Sequence, residues 1–285
     1  MPKAIEDIIE GVENLNALDG LCDTAAGWVA RATSRDAVKN ALSGTWLSHP
    51  LHPVLTDLPI GAWVMASALD LTAGGSGAAS ARRLVGLGLV ATVPAAVAGA
   101  ADWSDTYGGT RRVGLVHALG NVVATTLQAA SWAARRRGRH RAGAALGCAG
   151  LGLTVCAAYL GGHLSYVRGV GVDHTAFQET VTDWTEVAAL SALTDGVPLR
   201  VTAGGVPVML VRHAGELYAL SATCTHAGGP LDEGAVLDDG CVRCPWHGSV
   251  FRLADGAAVR GPATVDEPRW DVRTDGDRVY VRSAR

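Results

Sequence analysis

The segments Cys224-Thr-His226 and Cys244-Pro-Trp-His247 decide how the C-terminal part of this chain is interpreted. Each segment offers one thiolate and one imidazole, and 17 residues separate the two segments. Cysteine and histidine side chains are ligands that transition metals favour, so the two segments predict a metal centre built on two loops. Gly228, Gly229 and Gly248 follow the ligand residues closely and would let the backbone turn tightly around the centre.

Short β-rich runs surround both segments from about residue 197 onward. Residues 199–203, 206–212 and 217–222 alternate between apolar and polar side chains, and glycine-containing turns separate them. The pattern predicts a small all-β domain over residues 197–285, preceded by a linker over residues 173–196.

The wider pattern, Cys-Thr-His-Ala-Gly-Gly-Pro-Leu and then Cys-Pro-Trp-His-Gly-Ser-Val-Phe, resembles the Rieske [2Fe–2S] family over about residues 185–285. In a Rieske cluster two cysteines hold one iron and two histidines hold the other. Cys224 and Cys244 are therefore expected on one iron, and His226 and His247 on the second. The segment 261–263, Gly-Pro-Ala, resembles the proline-containing loop that shields the cluster in this family.

The resemblance also bears on the reduction potential. Ser249, which follows Gly248 beside the expected cluster, is retained and could donate a hydrogen bond to a cluster sulfide. Gly229 and Trp246 stand where quinol-oxidising members carry an extra cysteine pair, and Phe251 replaces their tyrosine. Because donors to sulfur raise the potential, we expect a value below the high end of the Rieske range, closer to Rieske ferredoxins.

Zinc is the alternative metal for the same segments. Cys241 and Cys244, together with Cys224 and His226, would form a site of three cysteines and one histidine. That arrangement leaves His247 without a role.

The N-terminal part has a different composition. Apolar residues make up 48% of the whole chain and charged residues only 18%, against about 25% in soluble domains. Long apolar stretches cover residues 51–73, 84–101, 113–134 and 142–162, and each is near the length that spans a bilayer. The predicted fold class is therefore multidomain: a four-helix transmembrane bundle over residues 44–172, then an all-β iron–sulfur domain. Residues 1–43 are predicted as amphipathic N-terminal helices.

Several segments resemble blocks of an uncharacterised bacterial family of four-helix membrane domains, over about residues 44–172. They are His49-Pro-Leu-His-Pro-Val-Leu-Thr-Asp-Leu-Pro-Ile-Gly, Asp102-Trp103, His117-Ala-Leu-Gly-Asn121 and Leu160-Gly-Gly-His163. The resemblance implies a multi-pass protein of the bacterial cell membrane and implies no activity.

Three histidines are predicted at one level of the bundle, namely His52, His117 and His163. Histidines on facing helices can ligate haem iron, bind another metal or hydrogen-bond a quinone, so we expect a site for haem b or a quinone there. An interhelical hydrogen-bond network is the alternative. The helix pairs 1–2 and 3–4 suggest a weak internal repeat, and Asp70 is interpreted as an end-of-helix residue near water.

Charge indicates topology and excludes one class of partner. The net charge is −3, which gives no nucleic-acid footprint. Arginines concentrate in the loops after the first and third bundle helices, at residues 82–83 and 135–141. The positive-inside rule places those loops in the cytoplasm and the β domain on the extracytoplasmic side.

Together these features predict a membrane-anchored one-electron carrier that exchanges electrons with a redox partner protein or a quinone. No second site of two histidines and a carboxylate is expected after the cluster segments, so the chain is interpreted as an electron-transfer component without a complete catalytic site. The alternatives are a ferredoxin-like donor to a separate oxygenase and a non-redox zinc-binding membrane protein. The sequence does not predict the oligomeric state.

Overall fold

Two compact units make up the chain. The computed structural model describes residues 3–284. The helical unit contains the residues up to Ser34 together with Leu51–Val170. The β unit contains Arg35–Pro50 and the chain from Gly171 onward. Residues 1, 2 and 285, at the outer ends of the predicted domains, lie outside the described residues.

The helical unit confirms the predicted bundle. Of the helices within residues 3–284, four are long and apolar enough to cross a membrane, judged by length and composition. They are α4 to α7, and the shorter helices α1 to α3 precede them in the chain. The bounds are α1 Lys3–Glu13, α2 Asp19–Ala32, α3 Asp36–Ser43, α4 Leu51–Thr72, α5 Gly74–Ser104, α6 Gly108–Arg136 and α7 His140–Tyr166.

Small residues let the bundle helices approach closely. A Cβ atom at Gly88 of α5 would lie 2.3 Å from the indole nitrogen of Trp63 in α4, so only glycine fits there. The buried Trp63 donates from that nitrogen to the carbonyl of Val85, 3.4 Å away. Close packing of this kind replaces the hydrophobic driving force that is missing between helices in lipid.

The first turn of α6 is tied to α2 by ion pairs. Arg111 contacts Asp23 at 2.7 Å, and Arg112 makes two bonds to the Asp19 carboxylate, at 2.6 and 2.9 Å. These two arginines therefore attach helix α2 to helix α6.

Two antiparallel sheets build the β unit. The larger has six strands in the order β1-β10-β9-β4-β3-β2, and the smaller has four in the order β5-β6-β7-β8. The bounds are β1 Thr185–Ala189, β2 Leu199–Ala203, β3 Val206–His213, β4 Glu216–Ser221, β5 Ala235–Leu237, β6 Cys241–Arg243, β7 Val250–Arg252, β8 Ala258–Arg260, β9 Arg269–Asp275 and β10 Arg278–Ser283.

Strand β3 separates two buried clusters because its side chains alternate between faces. Met209 and Val211 pack with Cys224, Cys244 and Phe251 in the cluster that includes the two ligand segments. The other face of β3 packs against the strands near the chain terminus. The core therefore buries both cysteine segments directly.

Two sequence-based boundaries differ from the structure. Residues 185–189, predicted as part of a linker, form β1 and pair with β10. Helix α3, predicted with the N-terminal helices, belongs to the β unit. Both segments are short, and each finds its partner far along the chain, so local periodicity could not reveal the pairing.

Candidate metal centre

The two ligand loops, residues 224–229 and 244–249, share one backbone geometry. The amides of Gly228 and Gly248 donate to the carbonyls of Cys224 and Cys244, four residues earlier, at 2.9 and 3.1 Å. Each cysteine amide donates to the carbonyl five residues later, at 2.8 Å in both loops. Gly228 and Gly248 have φ of 75° and 73°, which disfavours a side chain. The glycines predicted from sequence therefore close two equivalent turns.

The ligand side chains of the two loops meet. The Nδ1 atoms of His226 and His247 lie 3.3 Å apart, and their ring centroids are 4.9 Å apart. Both cysteines are buried, and their thiols hydrogen-bond to each other. Each loop thus brings one sulfur to a sulfur pair and one Nδ1 to a nitrogen pair.

The protonation behaviour of these side chains suits metal ligands. The hydrogen bond from Cys224 lowers the pKa of Cys244 to about 7, while that bond and burial raise the pKa of Cys224. Burial first, and then the nearby charges of His247 and Lys39, lower the pKa of His226 to about 3. A neutral imidazole beside an easily formed thiolate is the state in which metals bind.

The donor set fits a [2Fe–2S] cluster. Two sulfurs together and two Nδ1 atoms together match a cluster with both cysteines on one iron and both histidines on the other. A Cβ atom at Gly229 would lie 3.1 Å from the sulfur of Cys244, so glycine leaves room beside the sulfur pair.

The proline loop, residues 260–263, is held against the second ligand loop. The amide of Ala263 donates to the Ser249 hydroxyl at 3.0 Å, and Arg260 donates to the carbonyl of Gly248 at 2.7 Å. The buried Ser249 hydroxyl keeps its own proton for another acceptor. The Gly261–Pro262 peptide bond is cis.

A cap segment, residues 36–47, covers the proline loop within the β unit. The Asn40 side chain makes two bonds to this loop and its strand, accepting from Gly261 at 2.9 Å and donating to Val259 at 3.0 Å. Thr45 donates to the carbonyl of Ala263 at 3.1 Å, and Arg260 contacts Asp36 at 2.6 Å. A Cβ atom at Gly261 would lie 2.4 Å from the Ser43 hydroxyl, which shows how closely the segment packs.

Sequence reasoning missed several residues around the centre. Lys39 of the cap segment is buried, and its charge acts on His226. Glu267 is buried and accepts from the amide of Thr225 at 3.1 Å, and burial raises its pKa well above the ordinary value. His174, in the predicted linker, donates from its amide to the carbonyl of Thr225 at 3.0 Å. No local motif marks these residues, since they reach the loops only through the fold.

Cys241 lies on strand β6 rather than in a ligand loop. Its backbone pairs with Leu237 and Arg252, and its thiol hydrogen-bonds with Asp239, which helps raise its pKa beyond the effect of burial. The proposed zinc site would need this thiol to turn toward Cys224.

In the helical unit, two of the three predicted histidines come together. The rings of His52 and His117 lie 6.4 Å apart between centroids, nearly perpendicular. His52 Nδ1 contacts the carbonyl of Ala95 at 2.8 Å, and His117 Nδ1 contacts the carbonyl of Ala157 at 2.7 Å.

His163 lies elsewhere, which changes the predicted group of three histidines. It is buried, and its Nε2 lies 3.5 Å from the carboxylate of Glu13, which also pairs with Arg168. His163 follows Gly161, which faces His117, by two positions. Two positions turn a side chain by about 200° around a helix, so His163 points to another side.

Asp70 is also placed differently from its interpretation as a residue near water. Its carboxylate accepts two bonds from Arg135, at 2.7 and 2.5 Å, and the arginine side chain is 1% exposed. Arg135, predicted as a loop charge, therefore belongs to a buried ion pair at the end of α6.

Comparison with known proteins agrees with this geometry. Residues 183–274 match the model of the Rieske [2Fe-2S] domain. Ferredoxin CarAc of Metapseudomonas resinovorans is 34% identical over 99 residues, which are 34% of this chain and 92% of that ferredoxin. The chain belongs to the Rieske [2Fe–2S] family. The Rieske domain implies a [2Fe–2S] cluster, as the sequence motif predicted.

Other relatives share the same part of the chain. Human apoptosis-inducing factor 3 is 36% identical over 99 residues, and the chain spans only 16% of its length. The solved ferredoxin of carbazole 1,9a-dioxygenase from Nocardioides aromaticivorans IC177 is 32% identical; the match covers 36% of this chain and all of that one, with a TM-score of 0.35.

The N-terminal part matches a second family. Residues 48–174 fit the model described as a predicted membrane protein, DUF2231. The predicted fusion of a membrane-protein domain with a Rieske domain is therefore confirmed.

Proposed function

We propose that this protein is a membrane-anchored one-electron carrier. Helices α4 to α7 would span the bilayer, and the β unit would hold the redox centre. The observation that carries the proposal is the meeting of two sulfurs and two Nδ1 atoms from two equivalent loops.

The chain would hold the cluster through four side chains and shield it with others. Cys224 and Cys244 would ligate one iron, and the Nδ1 atoms of His226 and His247 the other. When bound, the cluster supplies reversible one-electron transfer. The Ser249 hydroxyl would donate to a sulfide and favour the reduced state, since that state carries more negative charge.

A second function, electron donation to a separate oxygenase, has support of its own. Relatives that align with the Rieske domain include ferredoxin components of dioxygenases, such as the anthranilate 1,2-dioxygenase ferredoxin subunit of Burkholderia cepacia, 33% identical over 104 residues. Trp246 is 53% exposed beside His247 and offers an apolar contact to a partner protein. On this proposal the membrane helices would hold the donor at the bilayer surface.

Within the bundle, the electron partner would be a quinone or haem b at the level of His52 and His117. Arg82 and Arg83, predicted in a loop, lie within α5, and residues 135–141 surround the turn between α6 and α7. These arginine-rich hairpin ends would lie in the cytoplasm, which would put the Rieske domain on the extracytoplasmic side. A reporter fused to the C-terminus, or protease digestion of intact and opened vesicles, distinguishes the two sides.

Spectroscopy of the full chain purified from membranes tests the redox proposal. We expect two irons and two sulfides per chain and a rhombic EPR signal on one-electron reduction. The Cys241→Ser variant serves as the matched control and should keep the signal. One zinc per chain without iron or sulfide would overturn the proposal in favour of a non-redox site. Release of the chain by alkaline carbonate washing would overturn membrane anchoring.

A further inference from the structure

The helical unit is built from two equivalent hairpins, α4–α5 and α6–α7. Residues of α6 lie 65 positions after their counterparts in α4, and residues of α7 lie 62 positions after theirs in α5. Thr92 donates to the carbonyl of Gly88 at 2.9 Å, and its counterpart Thr154 donates to that of Gly150 at 3.0 Å. The offset in residue number is constant within each pair of helices, and equivalent residues make the same contacts. The two hairpins therefore form an internal repeat.

Contacts between the helices of each hairpin repeat in the same way. Trp63 donates to the carbonyl of Val85 in the first hairpin, and Gln128 donates to that of Gly147 in the second. The side chains differ, but donor and acceptor occupy equivalent positions. The positions of the interhelical hydrogen bonds are therefore repeated, although the residue types that make them differ.

Two pairs of equivalent residues contact each other across the hairpins. His52 faces its own counterpart His117, and Asp70 pairs with its own counterpart Arg135. In two units related by two-fold symmetry, equivalent residues meet where the axis passes between them. The histidine and ion pairs are 18 residues apart along the helices, or about 27 Å at 1.5 Å per residue. The axis thus runs along the bundle, with a polar pair near each end.

The hydrogen bonds of the histidines fix their tautomer. A carbonyl oxygen only accepts, so the Nδ1 atoms facing Ala95 and Ala157 must both carry protons. In the neutral rings each Nε2 then holds a lone pair. Histidines that bind metals are oriented in this way, with the second nitrogen donating to a backbone carbonyl.

Glycines make space for both rings at equivalent positions. A Cβ atom at Gly99 would lie 2.6 Å from Cε1 of His52, and one at Gly161 would lie 3.1 Å from Cε1 of His117. The Nδ1–Cε1 edge of each ring therefore lies against the neighbouring helix of its own hairpin. The Nε2 atom of His117 lies 3.3 Å from the side-chain nitrogen of Asn121, one turn further along α6, which donates to it and would have to release it for a metal.

The distance between the rings suits a shared metal. Two imidazoles on opposite sides of one metal ion have centroids about 6.5 Å apart, from metal–nitrogen bonds of about 2.0–2.1 Å and ring radii of about 1.2 Å. The observed distance is 6.4 Å. Each ring can rotate about the line that joins the two ligand nitrogens through the metal. The nearly perpendicular ring planes are therefore compatible with binding to one metal ion.

From this geometry we propose that His52 and His117 are the paired Nε2 ligands of one metal centre on the axis of the bundle. In both cases two neutral imidazoles would bind one metal. That metal would be either haem iron or a divalent transition-metal ion. The inference deepens the electron exchange proposed for the bundle and rests on it, and it excludes His163 from the site.

The test measures metal and haem in the full chain purified in detergent. Mass spectrometry of metals and a pyridine haemochrome assay distinguish the two sources. We expect either one haem, or one transition-metal ion beyond the two cluster irons, per chain. A Cys224→Ser/Cys244→Ser variant should lose the cluster and keep this centre, so failure of the Rieske proposal is visible separately.

Variants identify the ligands. His52→Ala and His117→Ala should each lower occupancy at least tenfold, and the matched control His163→Ala should leave it unchanged. His117→Met should retain a centre with a shifted absorption spectrum if the metal is haem iron, since methionine is also an axial ligand. Gly99→Ala should lower occupancy more than Gly161→Ala, because its Cβ approaches the ring more closely.

The Rieske EPR signal and a single peak in size-exclusion chromatography show that each histidine or glycine variant is folded, and the single peak alone serves for the variant without cysteine ligands. Wild-type chain without haem or an extra metal, in preparations that contain the cluster, would overturn the inference. Undiminished occupancy in folded His52→Ala and His117→Ala, or loss in folded His163→Ala alone, would also overturn it. A bound quinone in place of a metal would show that the histidines bind a quinone by hydrogen bonds. That result would also overturn the proposed metal centre.

Discussion

Two pairs of histidines face each other in this protein, and they offer opposite nitrogens. In the β unit, His226 and His247 bring their Nδ1 atoms within 3.3 Å. In the helical unit, His52 and His117 turn Nδ1 toward backbone carbonyls, which leaves the lone pair of each neutral ring on Nε2. The Nε2 atom of His117 lies 3.3 Å from the side-chain nitrogen of Asn121. On the two proposals above, the same residue type would present a different ligand atom in each unit.

The local backbone accounts for this difference. In the ligand loops, the carbonyls of Cys224 and Cys244 accept from glycine amides within the same turn. In the bundle, Ala95 and Ala157 belong to a neighbouring helix, and their carbonyls also accept from the histidine ring. In the β unit, the backbone turn of each loop orients the histidine ring. In the helical unit, a hydrogen bond to a carbonyl of the neighbouring helix orients it.

The largest expected effect is loss of the cluster when one of its histidines is removed. His247→Ala takes away an Nδ1 ligand, so reduced protein should show no rhombic EPR signal and little bound iron. The matched control is His174→Ala, which removes a neighbouring ring that carries no ligand role here. A normal signal in His247→Ala would contradict the assignment of Nδ1 atoms in the β unit.

The next effect concerns the ion pair at the far end of the bundle axis. Asp70→Asn leaves Arg135 buried without its carboxylate, and breaking a buried pair costs about 3–5 kcal/mol of stability. Thermal unfolding in detergent measures the change. If the positions are equivalent by symmetry, the exchange Asp70→Arg/Arg135→Asp should recover most of the loss. A double variant no more stable than Asp70→Asn would argue against the two-fold axis.

The sequence predicted the cluster better than the bundle site for a physical reason. All four predicted cluster ligands lie within 24 residues, and glycines and prolines around them mark the turns. The four long apolar helices were also predicted, because a long apolar stretch is a local property. Fold class and cluster type could therefore be predicted without the structure.

Features that depend on distant partners could not be predicted. His52 and His163 look alike in the sequence, and only helix rotation separates the ring that faces His117 from the one that faces Glu13. Arg135 sits in a basic run typical of a loop, yet it is paired with Asp70, 65 residues earlier. Lys39 reaches His226 only because a short N-terminal segment joins the β unit.

A smaller effect is expected from the donor beside the cluster. Ser249→Ala removes a hydroxyl that could donate to sulfide, and the reduced state loses more stabilisation than the oxidised state. A hydrogen bond to a charged group is worth about 1.5–3 kcal/mol, so the potential of this one-electron couple should fall by up to roughly 65–130 mV. Redox titration followed by EPR measures it. Since Ala263 also loses its acceptor, Ser249→Thr serves as the control that keeps a hydroxyl.

The smallest effect on the reduction potential is expected from Lys39. This variant tests whether a charge outside the ligand loops acts on the histidine pair of the β unit, and so adds to the difference between that pair and the pair of the helical unit. A buried positive charge near His226 favours the reduced, more negative cluster, so Lys39→Met should lower the potential. The shift should be smaller than for Ser249→Ala, because a Coulomb interaction falls with distance whereas the Ser249 hydroxyl would contact the sulfide directly. Lys39→Arg keeps the charge and should leave the potential near the wild-type value. Equal potentials for Lys39→Met and Lys39→Arg in the same redox titration would show that the cap segment acts on the cluster through packing alone.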